Sequence, residues 1–403
     1  MSEMAQMVPA AVRERLAAGA HSVLVDAAAL DAVRQRFDAE QAQALGRYLA
    51  AAQSPNTLRA YRSDWVAFTA WCAAEGRRAL PADAVDVAVY LAAAAETRHS
   101  DDTGRWALSA ATLERKAAAI AAVHAAQGLA SPTRADVVRM TLRGIRRRRR
   151  SPPQRKRPLL LETLERLLEQ RPGPAYPGGV ARLRDTLLLL AGFAGALRRS
   201  ELAAISYDDV VCDHDLSTGD PLLVVSLAAT KTDQQAQHGQ RVALPRGRRA
   251  ATCAVCAFAA WSQVLQAHRD GGTAAVRAVV EQAATAVDDH EHVCHTYAGT
   301  DLADGSARAL FPPVSRHGHI GQRPMSGRAV AELVKRYAQR AGLDPDAFGG
   351  HSLRAGFATQ AALGGASDRE IMRQGRWSNP RTVHGYIRTA HPLEDNAVTR
   401  LGL

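Results

Sequence analysis

The chain has 403 residues, a net charge of +11 at pH 7 and a pI near 9.9. Its 47% hydrophobic and 23% charged residues are typical of a folded globular protein and exclude a mainly disordered chain. The length predicts two domains with extensions. The positive charge predicts a polyanionic partner, and nucleic acid is the first hypothesis.

Membrane and secreted classes are disfavoured. The longest uncharged apolar run, Thr186 to Leu197, is far shorter than the roughly 20 residues of a membrane span. Glu and Arg occur where a signal peptide needs an apolar block, so we expect a cytoplasmic protein. The cysteines are odd in number and irregularly spaced, which predicts reduced thiols: Cys72, Cys212, Cys253, Cys256 and Cys294.

The first part of the chain has helical patterns. Residues 1–48 are predicted to be an Ala-rich helical extension, and residues 49–146 a small all-α domain. In that domain, Ser54 is a plausible N-cap with Pro55 at the first helical position. Apolar residues then recur at intervals of three and four, which predicts one buried stripe on each helix.

Residues 147–158 are predicted to be a linker, because the run IRRRRRSPPQRKRP combines dense positive charge with proline. One interpretation is a solvated tether between domains. The other, which we favour, is a strap that lies along DNA phosphates.

Residues 159–403 are predicted to form a second, mostly helical domain with a small sheet. The arms LLVVSLA and QRVALP surround a polar tip, as in a β-hairpin. Residues 270–310 are rich in Gly, Ala, Asp and His and are predicted to be an irregular insertion. The fold class is therefore mainly α with a small β-sheet.

Two pairs of residues with helical spacing could bind an anion. Arg198 and Glu201 are three positions apart, so the carboxylate can hold the guanidinium in one pose. His351 and Arg354 follow a Gly-Gly turn, at what we predict to be the start of a helix. A structural ion pair and a core imidazole are the alternatives for each pair taken alone, but an Arg on an apolar helix needs a partner, which a phosphate would supply.

Three further residues complete the candidate set. Lys231 lies near the tip of the predicted hairpin, where it is either a solvated charge or a general acid on a movable turn. Trp377 is either a packing residue or the donor of an indole N–H to a phosphate. Tyr386 is a poor nucleophile unless nearby cations stabilise its phenolate.

In this order, Arg, Lys, His-x-x-Arg, Trp and Tyr resemble the tyrosine recombinase or phage integrase family. The likeness is strongest over residues 351–388, in the runs HSLRAGFA, EIMRQGRW and GYIR, which are most similar to the Cre-type branch. It implies a SAM-like core-binding domain followed by an α+β catalytic domain, together forming a clamp around DNA.

The resemblance also implies a role for each residue. Tyr386 would attack a DNA phosphodiester and form a 3′-phosphotyrosine, with Arg198 and Arg354 binding the non-bridging oxygens. Lys231 would protonate the leaving 5′ oxygen and His351 would assist proton movement. Trp377 would replace a more common His, and Glu201 would orient Arg198. No metal, ATP or other cofactor is implied, and the partners would be double-stranded DNA with a specific site and a homotetramer on two synapsed sites.

Residues that contact DNA beyond the cleaved phosphate are harder to select, because a solvated helix face explains the same charges. The helix that follows Ser326 resembles the family's major-groove helix, and Arg328 and Lys335 are its candidates. Arg115 and Lys116 are the candidates in the first domain.

The cysteines leave one alternative open. Cys253, Cys256, Cys294 and His295 could hold zinc, but the second half lacks a standard finger spacing, and buried packing is the interpretation that we favour.

Two other functions remain as alternatives to a recombinase. One is DNA relaxation of the type IB topoisomerase kind, which shares the chemistry without synapsis. The other is a DNA-binding or architectural protein with an idle site, which an intact catalytic set disfavours.

Overall fold

A computed structural model describes residues 40–41, 54–99, 106–149, 156–227, 240–285, 291–297 and 308–390. The chain divides into two compact units, residues 1–154 and 155–403, and the boundary falls inside the basic run. No helix in the described ranges is both long and apolar enough to cross a membrane.

The first unit is helical over its described part. Its helices are α1 (Pro55–Ala74), α2 (Ala84–Glu96), α3 (Ala110–Ala125) and α4 (Asp136–Arg148). Ser54 caps α1 by accepting a hydrogen bond from the Thr57 N–H, and Pro55 occupies the first turn, as the sequence predicts. Helix α4 ends two residues inside the predicted linker, so the start of that segment is helical.

Aromatic and aliphatic side chains from these helices form one core. Trp65 and Phe68 of α1 are buried, with ring centroids 5.6 Å apart, and they pack with Leu91, Leu113 and Ile120. The described part of this unit is therefore an all-α domain, because each helix buries one face in a shared interior.

The second unit contains the remaining elements. They are α5 (Leu161–Glu169), α6 (Gly178–Ala194), α7 (Arg199–Ala204), β1 (Val210–His214), β2 (Pro221–Leu227), β3 (Gln240–Pro245), α8 (Ala254–Thr285), α9 (Gly327–Arg340), α10 (Gly350–Leu363), α11 (Asp368–Gly375) and α12 (Pro380–Ala390). Its core includes Trp261, Phe311, Tyr337 and Phe348.

The sheet is antiparallel, with the order β1-β2-β3. Strands β2 and β3 pair from Leu222 with Pro245 to Leu227 with Gln240, which confirms the predicted hairpin arms. Strand β1 was not predicted. It is a short edge strand in which only the first residue is buried, so its sequence lacks the alternation that marks a strand.

The prediction of an irregular segment from residue 270 was wrong at its beginning. Helix α8 continues to Thr285 across a kink at Gly272, whose φ is +60°. Val276 and Val280 on this second half are buried in the core of the unit. Burial of these two side chains, one turn apart, stabilises a helix in a segment whose Gly and Ala content predicted irregular structure.

The last three helices form a separate small core. Ala358, Ala362, Ile371 and Val383 are buried together, and Trp377 and Tyr386 pack against them. This cluster fixes α12 against α10 and α11, and it therefore sets the position of Tyr386.

Candidate active site

The turn between α6 and α7 positions Arg198. This residue is the N-cap of α7, and its backbone N–H donates to Glu201 Oε2 at 2.9 Å. The Arg198 side chain also donates to Glu201 Oε1. Glu201 thus caps the helix and holds the guanidinium, as the spacing predicts.

A second arginine, Arg376, binds the same carboxylate. Its Nη2 lies 2.9 Å from Glu201 Oε2, and both side chains are buried. Burial alone would raise the pKa of Glu201, but the hydrogen bonds from Arg198 and the charge of Arg376 lower it below its ordinary value. Sequence reasoning missed Arg376, although it stands directly before Trp377; an arginine there is indistinguishable from a solvated one until the fold is known.

Arg354 is the third arginine and differs from the other two. Its side chain is 1% exposed, its guanidinium lies 4.1 Å from the centre of the Trp377 ring, and Nη1 donates to the Ala196 carbonyl. Its Nη2 is buried and has no hydrogen-bond acceptor among the described residues. Desolvation, followed by repulsion from Arg198 and Arg376, lowers the pKa of Arg354 to about 9. A buried donor and an uncompensated cation together make a site for an anion.

The backbone around these arginines is strained. In the described part of the chain, Ala196 and Arg376 are the non-glycine residues with positive φ, at +46° and +56°. The Ala196 carbonyl accepts from both Arg354 and Arg376. Such a backbone conformation costs about 1–3 kcal/mol per residue. The hydrogen bonds from the two guanidiniums to the Ala196 carbonyl help to offset this cost.

Tyr386 lies beside these cations. Its hydroxyl is 2.9 Å from His351 Nε2, and its ring centroid is 5.9 Å from that of Trp377. The indole in turn fits because residue 375 is glycine: a Cβ there would come within 1.8 Å of the Trp377 ring. His351 is exposed at the start of α10, so this side of the tyrosine faces solvent.

The structure thus brings together six of the seven predicted catalytic residues: Arg198, Glu201, His351, Arg354, Trp377 and Tyr386. Lys231 lies outside the described residues. The arrangement can bind one phosphate against guanidinium groups with a tyrosyl oxygen beside it.

The candidate DNA-contact residues fall into different environments. Arg328 is exposed on α9, whereas Lys335 forms an ion pair with Asp346 at 3.0 Å. Arg115 is 46% exposed and makes two hydrogen bonds to Asp64. Lys116 is buried.

The choice of Lys116 as a DNA contact was therefore wrong in this conformation. Its ammonium lies 3.3 Å from Asp64 Oδ1 and 3.2 Å from the Tyr90 hydroxyl. If the ammonium moved to a phosphate, Asp64 would keep only Arg115, and the buried Tyr90 hydroxyl would lose its hydrogen bond from Lys116.

The chain matches two family models. Residues 271–391 match the phage integrase family, and residues 43–127 match the N-terminal SAM-like domain of phage integrases. The integrase/recombinase xerD homolog of Selenomonas ruminantium is 32% identical over 358 residues, which cover 88% of each protein. The chain therefore belongs to the phage integrase family, the tyrosine site-specific recombinases.

The chain is also similar, at low sequence identity, to recombinases and integrases of known structure. A XerH site-specific recombinase bound to a palindromic difH substrate is 13% identical, with 98% of this chain and 95% of that chain covered and a TM-score of 0.47. The Tn1549 transposon integrase in complex with circular intermediate DNA is 16% identical, with 79% and 84% covered and a TM-score of 0.40. The family assignment rests on the sequence matches.

Proposed function

We propose that Tyr386 is the nucleophile of this recombinase. Its oxygen attacks the scissile phosphorus, the bond from phosphorus to the 5′ oxygen breaks, and a 3′-phosphotyrosine and a 5′-hydroxyl form. The phosphotyrosyl bond retains the energy of the phosphodiester, so a 5′-hydroxyl from a partner strand reseals it without ATP. The observation that carries this proposal is the Tyr386 hydroxyl, which is hydrogen-bonded to His351 and lies near the buried Arg354, whose Nη2 has no acceptor among the described residues.

The arginines bind the phosphate in this scheme. Arg354 uses the donor that has no acceptor among the described residues, and Arg198, 18% exposed, reaches the same oxygens while Glu201 holds it. Negative charge that develops on these oxygens is then stabilised by guanidiniums whose positions are already fixed. Arg376 acts as a positioning residue, because its contacts are with Glu201 and backbone carbonyls.

Proton transfers need a base and an acid. His351 Nε2 lies at hydrogen-bonding distance from the tyrosyl oxygen and is suited to accept its proton. The resemblance assigns protonation of the leaving 5′ oxygen to Lys231. Trp377 packs against the nucleophile and contributes its indole N–H to the phosphate.

We also propose that four copies act on two synapsed sites, in the Cre-like manner that the sequence implies. This proposal includes a clamp around duplex DNA in which Arg328, on α9, contacts the edge of a base. The exposure of Arg328 supports this role. Relaxation of supercoils without exchange between sites would instead indicate a topoisomerase-like activity.

Covalent trapping tests the nucleophile. The full chain is incubated with nicked fragments of genomic DNA, so that a strand cut beside a nick is lost and the intermediate accumulates. After denaturation, protein-linked DNA is recovered and sequenced. We expect an adduct on a specific site for the natural chain and none for Tyr386→Phe, which should still bind the recovered site.

Tyr176→Phe is the matched control, because it removes a tyrosyl hydrogen bond to the His317 carbonyl away from this cluster. It should form the adduct as the natural chain does. An adduct that persists in Tyr386→Phe, or that maps to another tyrosine, would overturn the assignment.

A further inference from the structure

Four potential metal ligands meet in the second unit, apart from the residues of the candidate active site. They are Cys253, Cys256, His292 and Cys294, and their ligand atoms all lie within 4.8 Å of one another. The three cysteines are at most 7% exposed. Thiolate and imidazole in this number are the ligands of a structural zinc site.

The distances suit one shared metal ion. His292 Nδ1 lies 3.4 Å from Cys256 Sγ and 3.8 Å from Cys294 Sγ. Zn–S bonds of about 2.3 Å and Zn–N bonds of about 2.0–2.1 Å give a tetrahedron with edges of about 3.5–3.8 Å. The ligands therefore need only small shifts to bind a metal.

Hydrogen bonds within this cluster do not satisfy every polar atom of His292. A ring nitrogen carries either one hydrogen or one lone pair, so Nδ1 can make one hydrogen bond, yet two sulfurs lie within its reach. The other ring nitrogen, Nε2, is buried and has no partner among the described residues. A metal bound at Nδ1 would satisfy both sulfurs at once.

The backbone around Cys253 favours a thiolate. The N–H groups of Gly247 and Cys256 point at its Sγ, at 3.3 and 3.5 Å. Gly247 approaches closely because it lacks a side chain: a Cβ there would lie 2.8 Å from the Cys253 Cα. Backbone N–H groups that donate to a sulfur stabilise the thiolate, which is the form of cysteine that binds a metal.

We propose that Cys253, Cys256, His292 and Cys294 bind one structural zinc ion. Simple burial, the interpretation favoured from sequence, fits Cys72 instead. This cysteine is buried in the first unit and belongs to no group of potential metal ligands among the described residues. The structure also changes the fourth ligand: His292 faces the sulfurs, whereas His295, the residue chosen from sequence, is exposed.

The ion would join parts of the chain that are distant in sequence. Cys253 and Cys256 flank the start of α8, just after β3, while His292 and Cys294 lie in the stretch predicted to be an insertion. The 291–297 segment otherwise contacts the unit through Tyr297, whose hydroxyl lies 3.2 Å from that of Tyr207. Zinc would therefore fix this segment to the start of α8, which follows β3 in the chain.

Metal analysis of the full chain tests the proposal. The protein is produced with zinc in the medium and purified under reducing conditions without chelator. We expect about one zinc per chain, and a lower melting temperature after a chelator removes it. Cobalt in its place should give the visible spectrum of a tetrahedral thiolate site.

Matched variants locate the ligands. His292→Ala and Cys294→Ser should lose most of the metal, whereas His295→Ala and Cys212→Ser should keep it. His292→Cys should restore binding and shift the cobalt spectrum, which separates ligation from folding.

Three outcomes would overturn the proposal. The natural chain could hold no zinc and show no change in melting temperature when zinc is added. Under the same conditions, Cys253 and Cys256 could instead be joined by a disulfide. Finally, His292→Ala could retain zinc as well as His295→Ala does.

Discussion

Each unit of the molecule contains a buried carboxylate that binds two cations. The two clusters differ because the second one has a further buried cation beside it. In the first unit, Asp64 binds Arg115 and Lys116, and Lys116 also bonds Tyr90. In the second, Glu201 binds Arg198 and Arg376, but a third arginine is buried beside them.

The difference separates buried charges that have a counter-ion among the described residues from one that does not. In the Asp64 cluster both cations form an ion pair with the same carboxylate, so each has a counter-ion within the protein. Arg354 has a carbonyl and an aromatic ring, and within the described ranges no carboxylate forms an ion pair with it. Because a buried charge without a counter-ion is costly, its retention indicates an anion that arrives from outside.

The largest expected effect comes from removing this unpaired charge. Arg354→Met keeps an apolar stem of similar length and should lower the rate of DNA cleavage by about 10²–10³-fold, the usual loss of one fixed donor to a reacting oxyanion. Its melting temperature should change little, since the removal of a desolvated cation offsets the lost hydrogen bond to the Ala196 carbonyl. Cleavage assays and thermal unfolding check both; a strong loss of stability would mean that Arg354 is structural.

The carboxylates themselves provide the next comparison. Glu201→Gln leaves Arg198 and Arg376 without a counter-charge and should lower the free energy of unfolding by about 3–5 kcal/mol. Asp64→Asn should cost about 2–3 kcal/mol, because Arg115 is 46% exposed and water replaces part of its ion pair. Denaturant unfolding measures both.

Cleavage separates the two carboxylates further. Folded Asp64→Asn should cleave like the natural chain, whereas folded Glu201→Gln should cleave more slowly, because Arg198 is no longer held. Equal cleavage defects in the two variants would contradict the distinction between the clusters.

A smaller, pH-dependent effect is expected in the first unit. His124 is fully buried; its Nδ1 lies 2.8 Å from the Ile120 carbonyl, and its Nε2 accepts from the Ala82 N–H. Desolvation lowers the pKa of His124 below its ordinary 6.5, although the bond to Ile120 opposes this shift. Because the folded state holds the neutral ring, stability is fully present above the unfolded pKa and falls as pH drops through the folded pKa.

Unfolding measured as a function of pH checks this expectation. His124→Gln should flatten the loss of stability below the ordinary histidine pKa. His99→Gln is a control, because His99 is exposed. An unchanged pH slope in His124→Gln would show that another group titrates.

The smallest effect concerns the outer DNA contacts. Arg328→Ala should weaken DNA binding several-fold and reduce the salt dependence of log Kd by about one. Lys116→Met should leave binding unchanged, because Lys116 is buried against Asp64. Titrations at two salt concentrations distinguish these results, and a larger loss in Lys116→Met than in Arg328→Ala would mean that α3 opens towards DNA.

Sequence spacing predicted much of the second unit correctly because its information is local. The arms of β2 and β3 carry the residue types of strands, and the spacing of Arg198 and Glu201 sets their contact within one helical turn. Resemblance supplied the order of the catalytic residues. Among the described ones, the structure places His351 within hydrogen-bonding distance of Tyr386 and Trp377 in ring contact with it.

The errors share one physical cause. Whether a charged side chain is free or paired depends on residues far away in the chain: Lys116 meets Asp64, and Arg376 meets Glu201. Similarly, His292 rather than His295 turns towards Cys256 and Cys294. No pattern within a helix or a loop encodes these distances.

The sequence alone therefore determined the family, the helical character with a small sheet, and the residues suited to phosphoryl transfer, because residue type, spacing and order carry this information. Only the tertiary structure decided which cations have partners. It buried Arg354 with an N–H group that has no acceptor among the described residues, and it paired Arg376 with the carboxylate that also holds Arg198. It also brought four potential metal ligands from two distant segments together. Burial and charge pairing are properties of the packed chain, and they set the cost of each charge.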